Sequence, residues 1–243
     1  MKILQLNIWG GRLGKVVSDL LAREQADVVC IQEIFSVPGG KSFFFEDQEE
    51  IQKSAEYPHA HHTPSGVMNY MNRKASWGNC ILSKLSFSYT NDEFTYFEVI
   101  NDFDFIDSGN YNKGRVLQHV VVDSDYGKVN VLNHHGYHIH HHKNGDEETM
   151  RQCKLIADYI KGLDGPVVLC GDFNLLPNSD SLEQINEVLV NHVKEQKILT
   201  TRTPLTHKTE ACDYIFTSSS IEVKNFQVLD DIVSDHKALI VEF

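Results

Sequence analysis

Short apolar runs alternate along the chain with polar and glycine-containing breaks, and their spacing sorts them into strands and helices. "KILQLNI" (2–8) and "DVVCIQE" (27–33) are continuous apolar stretches of strand length. Between them, "GKVVSDLLAREQ" sets Val16, Val17, Leu20 and Leu21 at the spacing of one helical face. Further strands are predicted at "WGNCILS" (77–83), "RVLQHVVVD" (115–123), "KVNVLNHH" (128–135), "PVVLCGD" (166–172), "CDYIFTS" (212–218), "IEVKNFQVL" (221–229) and "HKALIVEF" (236–243). Helices are predicted over 146–162, where Met150, Cys153, Ile156, Ala157 and Ile160 share a face, and over 179–190.

This is more strand than a single wound sheet accommodates, and 115–124 and 128–135 read as a hairpin joined by "SDYG". The expected fold is α/β, a four-layer sandwich of two packed mixed β-sheets flanked by helices. No repeat and no Pro- or Ser-rich linker divides the chain, so one domain spanning 1–243 is expected. Two stretches read as surface loops: 34–76, with "VPGG" and Phe43, Phe44 and Phe45, and 88–114, where six acids precede the first cation at Lys113. Loops this long in a compact domain often act as lids or binding edges.

Composition narrows the function. Hydrophobic residues make up 41% and charged residues 23%, as in an ordinary folded protein, but 34 acids against 22 Lys and Arg give a net charge of −12. That balance disfavours non-specific wrapping of duplex nucleic acid. It leaves open a site for a small or single phosphate, because a bound cation reverses the local field. The five cysteines, Cys30, Cys80, Cys153, Cys170 and Cys212, are scattered among apolar neighbours and read as buried free thiols in a reducing compartment. "MKILQLNIW" is too short an apolar stretch for a signal peptide and no run is long enough to cross a bilayer, so a cytoplasmic location is expected.

Polar side chains recur at the C-terminal end of apolar runs: Asn7 after "ILQL", Glu33 after "DVVCIQ", His135 after "VNVLNH", and Asp172 and Asn174 around "VVLCG". Carboxylates are costly to bury there unless paired or bound to a cation, so the repetition points to a site. Oxygen donors with imidazole, and no organised cysteine pair, suit Mg²⁺ or Mn²⁺ better than zinc.

The segments "QLN" (5–7), "IQE" (31–33), "NHH" (133–135), "GDFN" (171–174), "DYIF" (213–216) and "SDH" (234–236) occur in this order. Together they resemble the endonuclease/exonuclease/phosphatase superfamily of metal-dependent phosphohydrolases, and "KGRV" (113–116) echoes its endonuclease branch. The resemblance implies that Glu33, with Asn7, anchors the cation and that Asp235 approaches it directly or through water. It implies that Asp172 orients the attacking water, Asn174 donates to a phosphate oxygen, and His236, its tautomer fixed by Asp213, contacts the phosphate with His135. These roles supply what phosphoryl transfer needs: charge neutralisation, an aligned nucleophile and a stabilised leaving oxygen.

Two departures bear on substrate. Trp9 and "TEAC" (209–212) stand where abasic-site endonucleases carry an acid and an apolar pocket, which argues against an abasic-DNA specialist. Six of the thirteen histidines fall within 134–142. Alternation turns His134 away from His135, and His138, His140 and His142 read either as a transition-metal chelate or as a solvated, partly cationic rim for an anionic substrate. The expected activity is water-mediated hydrolysis of a phosphoester, possible substrates including a nucleotide or short single-stranded nucleic acid. A nuclease of the same fold and a non-catalytic metal-binding module are the competing readings.

Overall fold

The computed structural model describes residues 1–37, 39, 45–70, 73–97, 99–101, 114–125 and 127–243. Strands and helices are numbered in chain order. β1 (Lys2–Asn7) and β2 (Val28–Ser36) pair in parallel through α1 (Gly14–Glu24), as the opening strand–helix–strand pattern predicts. In α1 the buried face is Val17, Leu20 and Leu21, while Val16, expected on that face, is 45% exposed. Its position, one residue before Val17, turns it about 100° around the helix.

One sheet orders β12 (Asn225–Val228), β13 (Leu239–Glu242), β1, β2, β4 (Arg73–Ser83), β3 (His59–Tyr70) and β6 (Ile100–Asn101). The other orders β10 (Val190–Asn191), β11 (Asp213–Thr217), β9 (Val167–Asp172), β8 (Gly127–His135), β7 (Arg115–Ser124) and β5 (Phe87–Tyr96). Both sheets mix parallel and antiparallel pairs, and they pack face to face with helices outside, as expected. Ile3, Cys30 and Ile81 of the first sheet share a buried cluster with Val120, Val131 and Cys170 of the second. On the outer face of the first sheet, Leu4, Leu6, Val29 and Ile31 pack with Leu20 and Leu21 of α1 and Ile51 of α2 (Gln48–Ser54). Each such aliphatic side chain contributes about 1.5–3 kcal/mol when fully buried. All five cysteines are buried and free.

The two expected surface loops are corrected. Stretch 34–76 contains the end of β2, α2, β3 and the start of β4, and 88–114 contains most of β5. β3 reads "HAHHTPSGVMNY", where three histidines, Pro64 and Gly66 hide the alternation, and a register shift between Pro64 and Gly66 absorbs the proline. β5 is an edge strand whose inward side includes Asp92, bonded to His61 and Thr63, and whose outward side is polar, so it carries no apolar stripe. Phe43 and Phe44, and 102–113, lie outside the described residues. Phe45 stacks on Phe35 at 4.5 Å between ring centroids and packs beside Val37 and Trp77.

α3 (Glu147–Lys161) begins at a capping box between Asp146 and Thr149 and buries Cys153, Ile156, Ala157 and Ile160 as predicted. Met150 is only partly buried; Thr149 and Gln152 complete the face instead. α4 stops at Asp180–Asn186, shorter than the predicted 179–190, because Val190 and Asn191 leave the helix to pair with β11.

Candidate active site

The period of two that builds the sandwich also builds the site. Along β1, Ile3, Gln5 and Asn7 belong to the face between the sheets; along β9, Val168, Cys170 and Asp172 do the same. Each strand passes from apolar to polar in its own direction, so one end of the sandwich collects polar groups. A layer of buried amides comes first. Gln5 Nε2 donates to Gln32 Oε1 at 2.8 Å, Gln32 Nε2 to Asn133 Oδ1 at 2.6 Å, and Asn133 Nδ2 to Gln118 Oε1 at 2.9 Å. Above it lies a cleft of 370 Å³.

Asn7 ties the two carboxylates of the cleft together, its Nδ2 donating to Glu33 Oε1 at 3.2 Å and to Asp172 Oδ2 at 3.1 Å. Glu33 occupies a register shift between Ile31 and Ile34, and its φ of 59° swings the side chain out of the sheet. Asn174 (φ 56°) and Trp9 (φ 52°) also take left-handed backbone, and all three line the cleft. Gly171, inside β9, permits the close approach to β8: a Cβ there would lie 2.0 Å from the His134 carbonyl oxygen.

His236 sits at the centre. Its Nδ1 is 2.9 Å from both oxygens of Asp213, its Nε2 is 3.7 Å from Asp172 Oδ2, and Arg202 Nη1 closes on the same Nε2. Asp213 is held in turn by Thr201 Oγ1 at 2.5 Å and Gln5 Nε2 at 3.3 Å. His135 Nε2 lies 3.8 Å from both Glu33 Oε1 and Asp172 Oδ2. Asp235 lies 3.8 Å from His236 Nε2 and 3.7 Å from Arg202 Nη1. Thus Asn7, Glu33, His135, Asp172, Asn174, Asp213, Asp235 and His236 converge on one end of the sandwich, with Asp213 beneath the cleft floor.

Burial and charge set the protonation states. Burial pushes the Glu33 carboxyl up, and the neighbouring Asp235 and Asp172 push it the same way against His236 and Asn7. Burial also acts upward on Asp172, but His236, His135, Arg202 and Lys143 together hold it well below the usual carboxylate range. For His236 burial acts downward and Asp213 and Asp172 outweigh it, so the imidazole is raised. His135, buried and beside Arg115, is held well below the ordinary imidazole value and is neutral.

The donor set fits a hard divalent cation at Glu33. Three acids, Glu33, Asp172 and Asp235, share the cleft, and among the described residues Glu33 has a hydrogen bond only from Asn7. Asp172, Asp213 and His236 also bring ligating atoms within 4.8 Å of one another. That trio is a hydrogen-bonded array, because Asp213 already accepts from Thr201, Gln5 and His236.

His134 turns from the cleft, as alternation predicts, with Nδ1 3.1 Å from the Val116 carbonyl and its ring against Phe173. His138 and His140 line the cleft with rings 5.0 Å apart, whereas His142 is exposed. His138, His140 and His142 do not gather as a chelate. Sequence reasoning assigned no role to Arg202, Lys143, Lys208, Arg12 or Trp77, which sit in segments without periodicity or among ordinary strand residues; Arg115 lay within "KGRV" but was given none. Lys143 is buried and donates to Asn174 Oδ1 at 2.7 Å. Arg12 lies over the Trp9 ring at 4.4 Å.

Fold and cleft together define a two-sheet α/β hydrolase of the phosphoester-cleaving kind. A family model described as the endonuclease/exonuclease/phosphatase family matches residues 4–236, and the chain belongs to that family. Similar solved structures include an endonuclease/exonuclease/phosphatase from Beutenbergia cavernae (18% identity, TM-score 0.72, covering 99% of this chain and 70% of that one). A mannosyl-6-phosphatase from Bacteroides thetaiotaomicron is similar at 17% identity and TM-score 0.70, covering 100% and 98%. The human Nocturnin catalytic domain with bound sulfate is similar at 15% identity and TM-score 0.68, covering 99% and 92%. At these identities the likeness is one of fold. No curated protein matches the sequence.

Proposed function

We propose that this chain, acting as one domain over 1–243, hydrolyses a small phosphoester by direct attack of water, with Mg²⁺ or Mn²⁺ held by Glu33, Asn7 and Asp235. The observation that carries the reading is that His236, backed from beneath by Asp213, lines one cleft with Asp172 and Glu33. The bound cation supplies charge neutralisation at the phosphate oxygens. Asp172, kept ionised, accepts a hydrogen bond from the attacking water and orients it. His236, with Nδ1 committed to Asp213, presents Nε2 to the phosphate, and Arg202 presents Nη1 to the same point. An arriving phosphate oxygen would accept from both, separating two cationic donors that otherwise face each other. Lys143 holds Asn174 Oδ1, which leaves the amide NH2 as the donor side; it lies 3.5 Å from the Gly136 carbonyl and would offer its second N–H to the phosphate. His135 stays neutral and acts as a hydrogen-bond donor.

Small or short substrates suit the molecule better than long duplexes. Among the described residues the cleft walls carry four fixed cations, Arg12, Arg115, Arg202 and Lys208, against three acids, while the whole chain carries −12. No helix among the described residues is long and apolar enough to cross a membrane, and a cytoplasmic site of action remains part of the proposal. The test is a Mn²⁺-supported panel of a phosphomonoester, bis(4-nitrophenyl) phosphate, a 5′-tyrosyl oligonucleotide and single-stranded RNA. Turnover on a small ester that disappears in EDTA is expected; full turnover in EDTA would overturn the reading.

A further inference from the structure

The His138–Lys208 side of the cleft carries hydrogen-bond donors and one cation that the groups around the scissile phosphate do not use. Lys143 is committed to Asn174, and Arg202 to His236 and Asp235. Lys208, in the segment leading into β11, is half-buried and lines the cleft, yet its ammonium has no hydrogen bond or ion pair among the described residues. Acids outnumber Lys and Arg by 34 to 22, so an unpaired lysine turned into a cleft is informative. Glu210, two residues on, turns its carboxylate to the Thr209 backbone N–H at 3.0 Å.

His138 and His140 stand in the same cleft, ring edge to ring face at 5.0 Å. Burial pulls the His138 imidazole down, and Lys143 and Lys208 add to the effect, to about 3. His138 is therefore a neutral ring able to donate one N–H, with Lys143 and Lys208 acting on it against Asp172. An arrangement of uncompensated donors is costly unless an anion completes it.

We propose that Lys208, His138 and His140 form a second anion subsite, separate from the groups that surround the scissile phosphate, and that it binds a further phosphate of the substrate. The favoured substrates are then small molecules bearing two phosphates. This rests on the phosphoester-hydrolase reading and deepens it by naming the substrate class.

The test uses the full chain carrying Asp172→Asn to halt turnover, with Mg²⁺ in excess. Adenosine 5′-monophosphate and adenosine 3′,5′-bisphosphate are titrated against tryptophan fluorescence and calorimetry. The chain has two tryptophans, Trp9 and Trp77, and both line the cleft. The bisphosphate is expected to bind at least about tenfold more tightly, as one added charge-assisted contact provides. Lys208→Ala, and separately His138→Gln with His140→Gln, should erase that preference and leave monophosphate affinity unchanged. Equal affinities in the parent protein, no binding of either nucleotide, or a preference that survives both sets of substitutions would each overturn the subsite. Hydrolysis of bis(4-nitrophenyl) phosphate by the unsubstituted chain with Mn²⁺ is measured alongside; inertness there rejects the hydrolase reading, while the binding comparison still decides the subsite.

Discussion

His236 and Asp213 are joined across 23 residues of sequence by a two-pronged contact, with Nδ1 of the imidazole 2.9 Å from both carboxylate oxygens. Asp213 is fully buried and pinned from two further sides by Gln5 and Thr201, so the imidazole is fixed in rotation as well as in tautomer.

Asp213→Asn should therefore lower kcat by on the order of 10²-fold or more with folding retained. The wild-type ring titrates above its ordinary value of 6.5. Its stabilising contribution is full below 6.5 and fades as pH rises through the raised folded-state value. NMR titration of His236 should show the value fall in Asp213→Asn. An unchanged titration and unchanged kcat would remove Asp213 from the scheme.

Glu33 shifts in the same direction for a different reason. Burial raises its folded-state value above the ordinary 4.5, so its charged form is disfavoured and weighs against stability progressively as pH rises from 4.5 through that raised value. A bound divalent cation relieves this. Mn²⁺ at about 100 times its Kd should stabilise the chain by about 2.7 kcal/mol, read as a rise in Tm that Glu33→Gln abolishes. A Tm indifferent to Mn²⁺ at neutral pH would argue against a cation at Glu33.

Lys143 separates activity from stability. Burial holds its ammonium down to about 8, so the charged form is disfavoured in the fold below that pH. Lys143→Met should cut kcat by about tenfold through loss of the Asn174 anchor while unfolding stability is unchanged or higher. Urea denaturation beside steady-state kinetics decides it; equal losses in both would make the lysine merely structural.

Asn133 is the junction of the amide layer. Its Nδ2 reaches the Ile31 and Cys80 carbonyls and Gln118, and its Oδ1 accepts from Gln32. Asn133→Ala leaves several buried groups without partners and should cost about 3 kcal/mol of unfolding free energy. A loss below about 0.5 kcal/mol would mean that the layer is not cooperative.

The sandwich was legible because its central strands are apolar runs that end on a functional residue: "VVLCGD" declares both β9 and Asp172. β3 and β5 were not, since His59, His61, His62 and Pro64 interrupt one alternation and polar residues, with Asp92 turned inward, interrupt the other. The cluster of Asn7, Glu33, Asp172 and His236 could be inferred from order and strand position. Arg202 could not, because "TRTP" carries no period and its nearness to His236 comes from an isolated pairing of the two residues across 34 positions.

The left-handed backbone at Trp9, Glu33 and Asn174 sets torsional comfort against the lining of the cleft. Glycine at any one of the three would relax a torsion worth about 1 kcal/mol. It would also delete a side chain that faces the cleft, so thermal endurance gained there is taken from the pocket's own wall.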